Sequence, residues 1–204
     1  MTAFRLFGVA AAEGGTPAPL PDGVQLVPFR DLAAIVREAA YAPSPADGRA
    51  TDEHLRVVAG MAQHRAILPA PVGVVFQSRE VMLRWMELHY VALSDGLGFI
   101  EGRVEARVHM RLRDEHVLDE ARADLAAVAT ESFRQLRRHV VAALPVKVGH
   151  DPSELLSGAF LVEEDRWQSF VDAVGEEEAR QGVLQLEMTG PWPPFDFVRM
   201  QFGG

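Results

Sequence analysis

Hydrophobic and polar positions alternate most cleanly between Arg103 and Arg113. Val104, Ala106, Val108, Met110 and Leu112 fall on one side, and Arg103, Glu105, Arg107, His109, Arg111 and Arg113 on the other. A two-residue period over this length predicts a long strand with one buried face. Its charged face is expected to meet solvent or a second polar layer. The same period returns at Leu184, Leu186 and Met188, with Gln185, Glu187 and Thr189 opposite. There, Gly190 with Pro191, Pro193 and Pro194 is expected to end the strand, because proline lacks the amide hydrogen and holds φ near −65°. Trp192, Phe195 and Phe197 are left as large apolar groups on a stiff, extended backbone.

The rest of the chain reads as alternating strands and helices. Phe4 to Val9 is a short apolar strand expected inside a sheet. Ala10 to Gly23, rich in Gly, Pro and Ala, is a surface loop. Val24 to Val27 is a strand stub. From Phe29, the spacing of Leu32, Ile35, Val36 and Ala39 predicts a helix, with Asp31 favouring its N-terminal dipole. A second helix opens at Thr51 or Asp52 and buries Leu55, Val58, Ala59 and Ala62. Pro69 and Pro71 lead into a compact strand, Val72 to Phe76. Ser78 caps a third helix that carries Val81, Met82, Trp85, Leu88 and Ala92 inward and closes at Gly96 and Gly98. The longest helix is predicted from Asp114 to about Ala143, roughly 45 Å at 1.5 Å per residue. Acids crowd its start and arginines its end, as the macrodipole prefers. Val146 to Val148 is a short extended piece, and Leu155 to Val162 a buried strand. A helix from Glu163 to Val174 presents Trp167, Phe170, Val171 and Val174, and Glu176, Glu177 and Glu178 trail it.

The pattern is that of an α+β protein of two domains with ferredoxin-like (split βαβ) elements, linked by the long helix. The expected division is residues 1–113 and 114–204. Val72–Phe76, helix, Val104–Leu112 is matched in plan by Leu155–Val162, helix, Val183–Met188. Parallel strands need such a crossover.

At 204 residues and 48% hydrophobic composition, the chain can bury a full core. Its net charge of −9 disfavours a nucleic-acid partner. The absence of cysteine removes disulfides, thiolate nucleophiles and Cys-ligated metals, and fits a reducing, cytoplasmic setting. No apolar run approaches the ~20 residues that span a bilayer, so no membrane partner is expected. None of the seven histidines sits in an H-x-x-x-H or H-E-x-x-H pattern. His54 and His64 are ten residues apart and off a common helical face. Gly96-x-Gly98 lacks the third glycine of a dinucleotide fingerprint, and there is no G-x-S-x-G or Walker sequence. Ser157-Gly158 lies inside an apolar strand, where glycine serves close packing. No catalytic residue, cofactor or metal ligand is assigned.

The Pro-aromatic tail has two readings. Its aromatics can fold back over the core, as large aromatics usually do. Or the rigid segment can present an aromatic to a partner at low entropic cost. Thr189-Gly190-Pro191-Trp192-Pro193-Pro194-Phe195, followed by Phe197-Val198, resembles the closing signature of the GvpL/GvpF family of gas vesicle accessory proteins. Phe4 to Val9 looks like that family's tyrosine-rich first strand with Phe for Tyr. Leu68 to Phe76 is similar to its proline-to-glycine strand, although Pro71 and Val72 stand where the family carries an arginine and a phenylalanine. Gly102 to Glu105 and Leu155 to Val162 match two further strands.

The resemblance implies a non-enzymatic assembly factor for gas vesicles, cytoplasmic and vesicle-associated, without a cofactor. Its partners would be the small hydrophobic major shell protein and other gas vesicle accessory proteins. Trp192, Pro193, Pro194, Phe195 and Phe197 are the candidate partner-binding residues. The rival from another class is a ferredoxin-like enzyme or small-molecule sensor, with a ligand held between helices and sheet.

Overall fold

A computed structural model of the chain describes residues 2–13, 20–41, 48–113, 122–148 and 151–198. The chain divides into two units, the first up to Glu101 with a return at Phe195, the second Gly102–Pro194. The change therefore comes at Glu101–Gly102, twelve residues before the division expected after residue 113, because the long alternating strand pairs wholly within the second unit.

The first unit carries β1 (Ala3–Ala11), β2 (Val24–Phe29), β3 (Leu32–Ala39), α1 (Gly48–Ala62), β4 (Ile67–Pro69), β5 (Val75–Phe76), α2 (Arg79–Leu88) and α3 (Tyr90–Ile100). Its antiparallel sheet runs β2-β3-β1-β4, with β5 also on β1, so the first strand is indeed interior. Both faces are covered. Val57, Val58 and Met61 of α1 pack with Phe7, Ile35 and Ile67, while Met82, Met86, Leu93 and Leu97 of α2 and α3 pack with Leu6, Ala34 and Val36.

That double cover explains a correction. Leu32 to Ala39 is a strand, not a helix, and forms a hairpin with β2 through a two-residue turn at Arg30-Asp31. Burial on both sides fills every position from Leu32 to Val36 with an apolar residue, which erases the two-residue period and leaves a run that also satisfies helical spacing. Arg30 takes φ 56° in the turn, and its guanidinium lies 4.6 Å from the Tyr90 ring centre.

Two further differences lie farther along the first unit. Val72 to Phe76 is not one strand: β4 and β5 sit on the same edge of β1, separated by a turn at Gly73 with φ 89°. The helix from Ser78 is capped as expected, Val81 N–H donating to Ser78 Oγ, but breaks at His89 into α2 and α3. Leu55, Val81, Leu88 and Ala92, expected inside, are exposed.

The second unit carries β6 (Arg103–Leu112), α4 (Arg122–Leu136), β7 (Ala142–Val146), β8 (Glu154–Glu163), α5 (Trp167–Gln181) and β9 (Leu184–Trp192). Its antiparallel sheet runs β7-β8-β6-β9. The inward face of β6 is the expected one. Ala106, Val108, Met110 and Leu112 pack under Ala129 and Leu136 of α4 and Phe170 and Val174 of α5. The predicted helix 114–143 is shorter at its end: α4 stops at Leu136, a 3-10 turn runs to His139, and Ala142 begins the edge strand β7. Its predicted start at 114–121 lies outside the described residues. α4 packs on β8 and α5 inside the second unit, so it does not link the two. Because β5 pairs with β1 and β6 with β8 and β9, the strand–helix–strand expected from Val72 to Leu112 is not one unit. Glu176 to Glu178 lie within α5 rather than after it, and Gly182 ends that helix at φ 65°.

Close approach of α4 to the sheet sets one strict requirement. A Cβ on Gly158 would meet Phe133 Cε2 and Phe160 Cε2, each at 2.7 Å. Gly158→Ala is expected to lower stability by about 1–3 kcal/mol through overpacking, read from the urea midpoint of the second unit's unfolding. An unchanged midpoint would show that the Phe133 ring yields without cost.

Candidate functional site

The Pro-aromatic segment begins as a continuation of β9. The strand does not end at Gly190. It runs to Trp192, and the pairing passes from Arg107–Thr189 to Glu105–Trp192 across a bulge at Gly190-Pro191, whose peptide bond is cis. A bulge accommodates the residues that cannot join the ladder while the strand's path goes on. Gly190 sits at φ 130°, and a Cβ there would lie 2.8 Å from the Glu105 carbonyl oxygen and 3.0 Å from Trp167 Cη2. Glycine is required on both counts.

Trp192 emerges from this edge strand 47% exposed, with its Nε1–H donating to Thr189 Oγ1 at 3.1 Å. Pro193 is half-buried and Pro194 buried. Beyond them the chain belongs to the first unit. Phe195 packs with Leu26 against the cluster of Phe7, Ile35 and Met61, and Val198 against the opposite cluster of Leu6 and Met82. Phe197 is half-buried. Of the five sequence candidates, Trp192, Pro193 and Pro194 thus close the second unit, and Phe195 and Phe197 are part of the first.

The charged face of β6 is organised by pairs from its neighbours. Glu105 is fully buried and accepts from Arg107 Nε at 2.9 Å. Arg111 donates to Glu187 of β9 at 2.6 Å. His109 Nδ1 lies 2.6 Å from Glu154 Oε1 and 2.8 Å from Ser157 Oγ, and Ser157 Oγ also donates to Glu154. Serine, histidine and glutamate are the residue types of a nucleophilic relay. A relay, however, needs the acid on one ring nitrogen and the serine on the other. Here both partners meet Nδ1, and Ser157 is 1% exposed. The geometry is that of a satisfied polar network joining two strands, β6 and β8. Among the described residues, no group of three or more His, Asp or Glu side chains is placed to hold a metal ion.

His54 is the buried polar residue that sequence reading placed outside the core. It is 3% exposed in α1, its ring 5.5 Å from that of Phe7, and neither ring nitrogen has a hydrogen bond of proper geometry. Burial pushes its pKa down; the nearby Ala70 main chain favours the cation slightly, and Arg5 opposes it. Glu53 beside it is engaged by Arg5 and Arg37. The signal was present in the sequence: His54, Val57, Val58 and Met61 follow i, i+3, i+4, i+7, one position off the expected stripe of Leu55, Val58, Ala59 and Ala62.

Comparisons with known proteins meet on one family. The profile of a family described as gas vesicle synthesis protein GvpL/GvpF matches residues 6–124 and 113–199. Gas vesicle protein F2 of Halobacterium salinarum is 26% identical, with 87% of this chain and 81% of that protein covered. Gas vesicle protein F of Haloferax mediterranei is 28% identical, with 96% and 87% covered. Among solved structures, the gas vesicle protein GvpF of an Anabaena species superposes with a TM-score of 0.79 at 15% identity, covering 100% of this chain and 99% of that one. GvpF of Microcystis aeruginosa gives 0.75 at 13% identity, over 98% and 100%. These two likenesses establish the shared fold, a mixed α+β architecture of antiparallel sheets and helices.

Two outcomes are expected. As pH falls below the usual histidine value near 6.5, the unfolded chain takes up a proton that buried His54 resists, so its contribution to stability is complete above that pH and declines below it. His54→Leu should flatten that part of the stability–pH curve, measured by denaturant unfolding between about pH 5 and 7; an unchanged slope would assign it to other groups. Phe195→Ala should lower stability by about 1–3 kcal/mol, read as a loss of thermal midpoint; no change would mean its packing adds nothing.

Proposed function

We propose a role that starts from one established point: this chain belongs to the gas vesicle synthesis protein GvpL/GvpF family, whose profile matches it over nearly its whole length. Membership gives it a part in gas vesicle formation. We infer further that it is a non-enzymatic assembly factor that binds the small hydrophobic shell protein and holds it before it polymerises, in the cytoplasm beside the growing vesicle. Other accessory proteins are expected in the same assembly. No helix among the described residues is long and apolar enough to cross a membrane.

The observation that carries this reading is Trp192. A half-exposed indole at the end of an edge strand, on a backbone fixed by Pro191, Pro193 and Pro194, is preorganised to bury against a partner. Aromatic anchors of this kind supply much of the energy of protein interfaces. Phe195, packed into a core, holds the tail's far end in place rather than meeting the partner. The non-enzymatic reading is supported by the crossed geometry at His109. The ferredoxin-like reading of the second unit is supported by its strand order, β7-β8-β6-β9, with helices after β6 and β8.

The test is capture of purified shell protein by the purified chain. Trp192→Ala removes a side chain that is 47% exposed, so thermal unfolding should shift little. Capture should fall by roughly tenfold or more, as loss of an interface anchor predicts. Unchanged capture by a folded Trp192→Ala protein would refute the tail's role, and no capture by the parent would refute shell-protein binding.

A further inference from the structure

The outer face of α2 and α3 is apolar at its middle and charged at its ends. Leu88 and Val91 are 80% and 68% exposed. With Arg84 and Asp95 they follow i, i+4, i+7, i+11, which places all four on one helical stripe. The inward residues Met82, Met86, Leu93 and Leu97 keep one buried face through the break at His89, where Leu93 N–H still donates to the His89 carbonyl at 2.9 Å. The outward stripe is therefore continuous as well. Arg84 and Asp95 are both exposed, and neither side chain has a hydrogen bond or ion pair among the described residues.

We propose that this stripe is the contact surface for a second copy of the chain, packed antiparallel about a twofold axis between Leu88 and Val91. The order Arg84, Leu88, Val91, Asp95 is complementary to its own reverse. In a twofold pair, each residue meets the residue that mirrors it in sequence about the axis. Leu88 then covers Val91 of the other copy, and Arg84 faces Asp95 of the other copy, twice per pair. A partner of unrelated sequence would have no reason to match this symmetric order, so the charge pattern selects a like copy. Two helices totalling 21 residues offer a contact about 30 Å long. That is below the standard interface size, so the pair should dissociate in the micromolar range or weaker.

Charge reversal tests the arrangement by sedimentation at concentrations from about 1 to several hundred µM, the range such a weak pair requires. Arg84→Glu alone and Asp95→Arg alone each put like charges opposite one another, and each should weaken association by roughly tenfold. An equimolar mixture of the two variants restores both ion pairs and should associate like the parent, as should the double variant. General repulsion cannot imitate this result. Asp95→Arg changes the net charge from −9 to −9 + 2 = −7 and would, on repulsion alone, strengthen self-association. Circular dichroism checks that each variant is folded. A parent that stays monomeric, a mixture no better than its components, or Leu88→Glu abolishing shell-protein capture without affecting any dimer would each overturn the proposal.

Discussion

The ladder that holds β6 between β8 and β9 is the constraint on which the second unit depends. One strand serves two chemistries. Its even-numbered apolar residues anchor the helical layer, and on its odd-numbered polar face His109 and Arg111 find hydrogen-bond partners across the sheet in Glu154, Ser157 and Glu187. A charged side chain on a central strand is stabilised only if its neighbours supply partners. The Glu105–Arg107 pair shows how far this goes, since the carboxylate there is fully buried. The same ladder carries β9 past its bulge and delivers Trp192 at the sheet's edge.

The first unit solves a different problem. Its sheet lies between α1 on one face and α2 with α3 on the other, so its strands are apolar on both sides. Two covered faces give a core in two layers, and the tail contributes to both through Phe195 and Val198. The cost of this burial appears at His54, a polar ring held among Phe7 and its neighbours without a hydrogen bond.

How much could be read from the sequence follows from these two architectures. β6 and the first half of β9 were legible because one covered face leaves a clean period, and β8 because a short, mostly apolar run reads as a buried strand. β3 was not, because a strand covered twice has no period to show. The end of α4 was hidden by residues such as Val140, Ala142 and Ala143, which suit a helix and an edge strand equally; Pro145 is tolerated in β7 because that strand lies at the edge. The tail was legible as a signature but not in its mechanics. Gly190 and Pro191 read as a stop, whereas a bulge lets pairing resume at Trp192. Which aromatic is exposed and which is packed depends on contacts far apart in the chain, and no local pattern records them.

Amide hydrogen exchange of the chain with and without the shell protein tests the central claim most directly. Binding through the end of β9 predicts slowed exchange at Thr189, Gly190 and Trp192 when shell protein is present, with the buried strands β1 and β8 unchanged. Equal exchange across this edge in the two samples, at concentrations where the complex forms, would contradict the account.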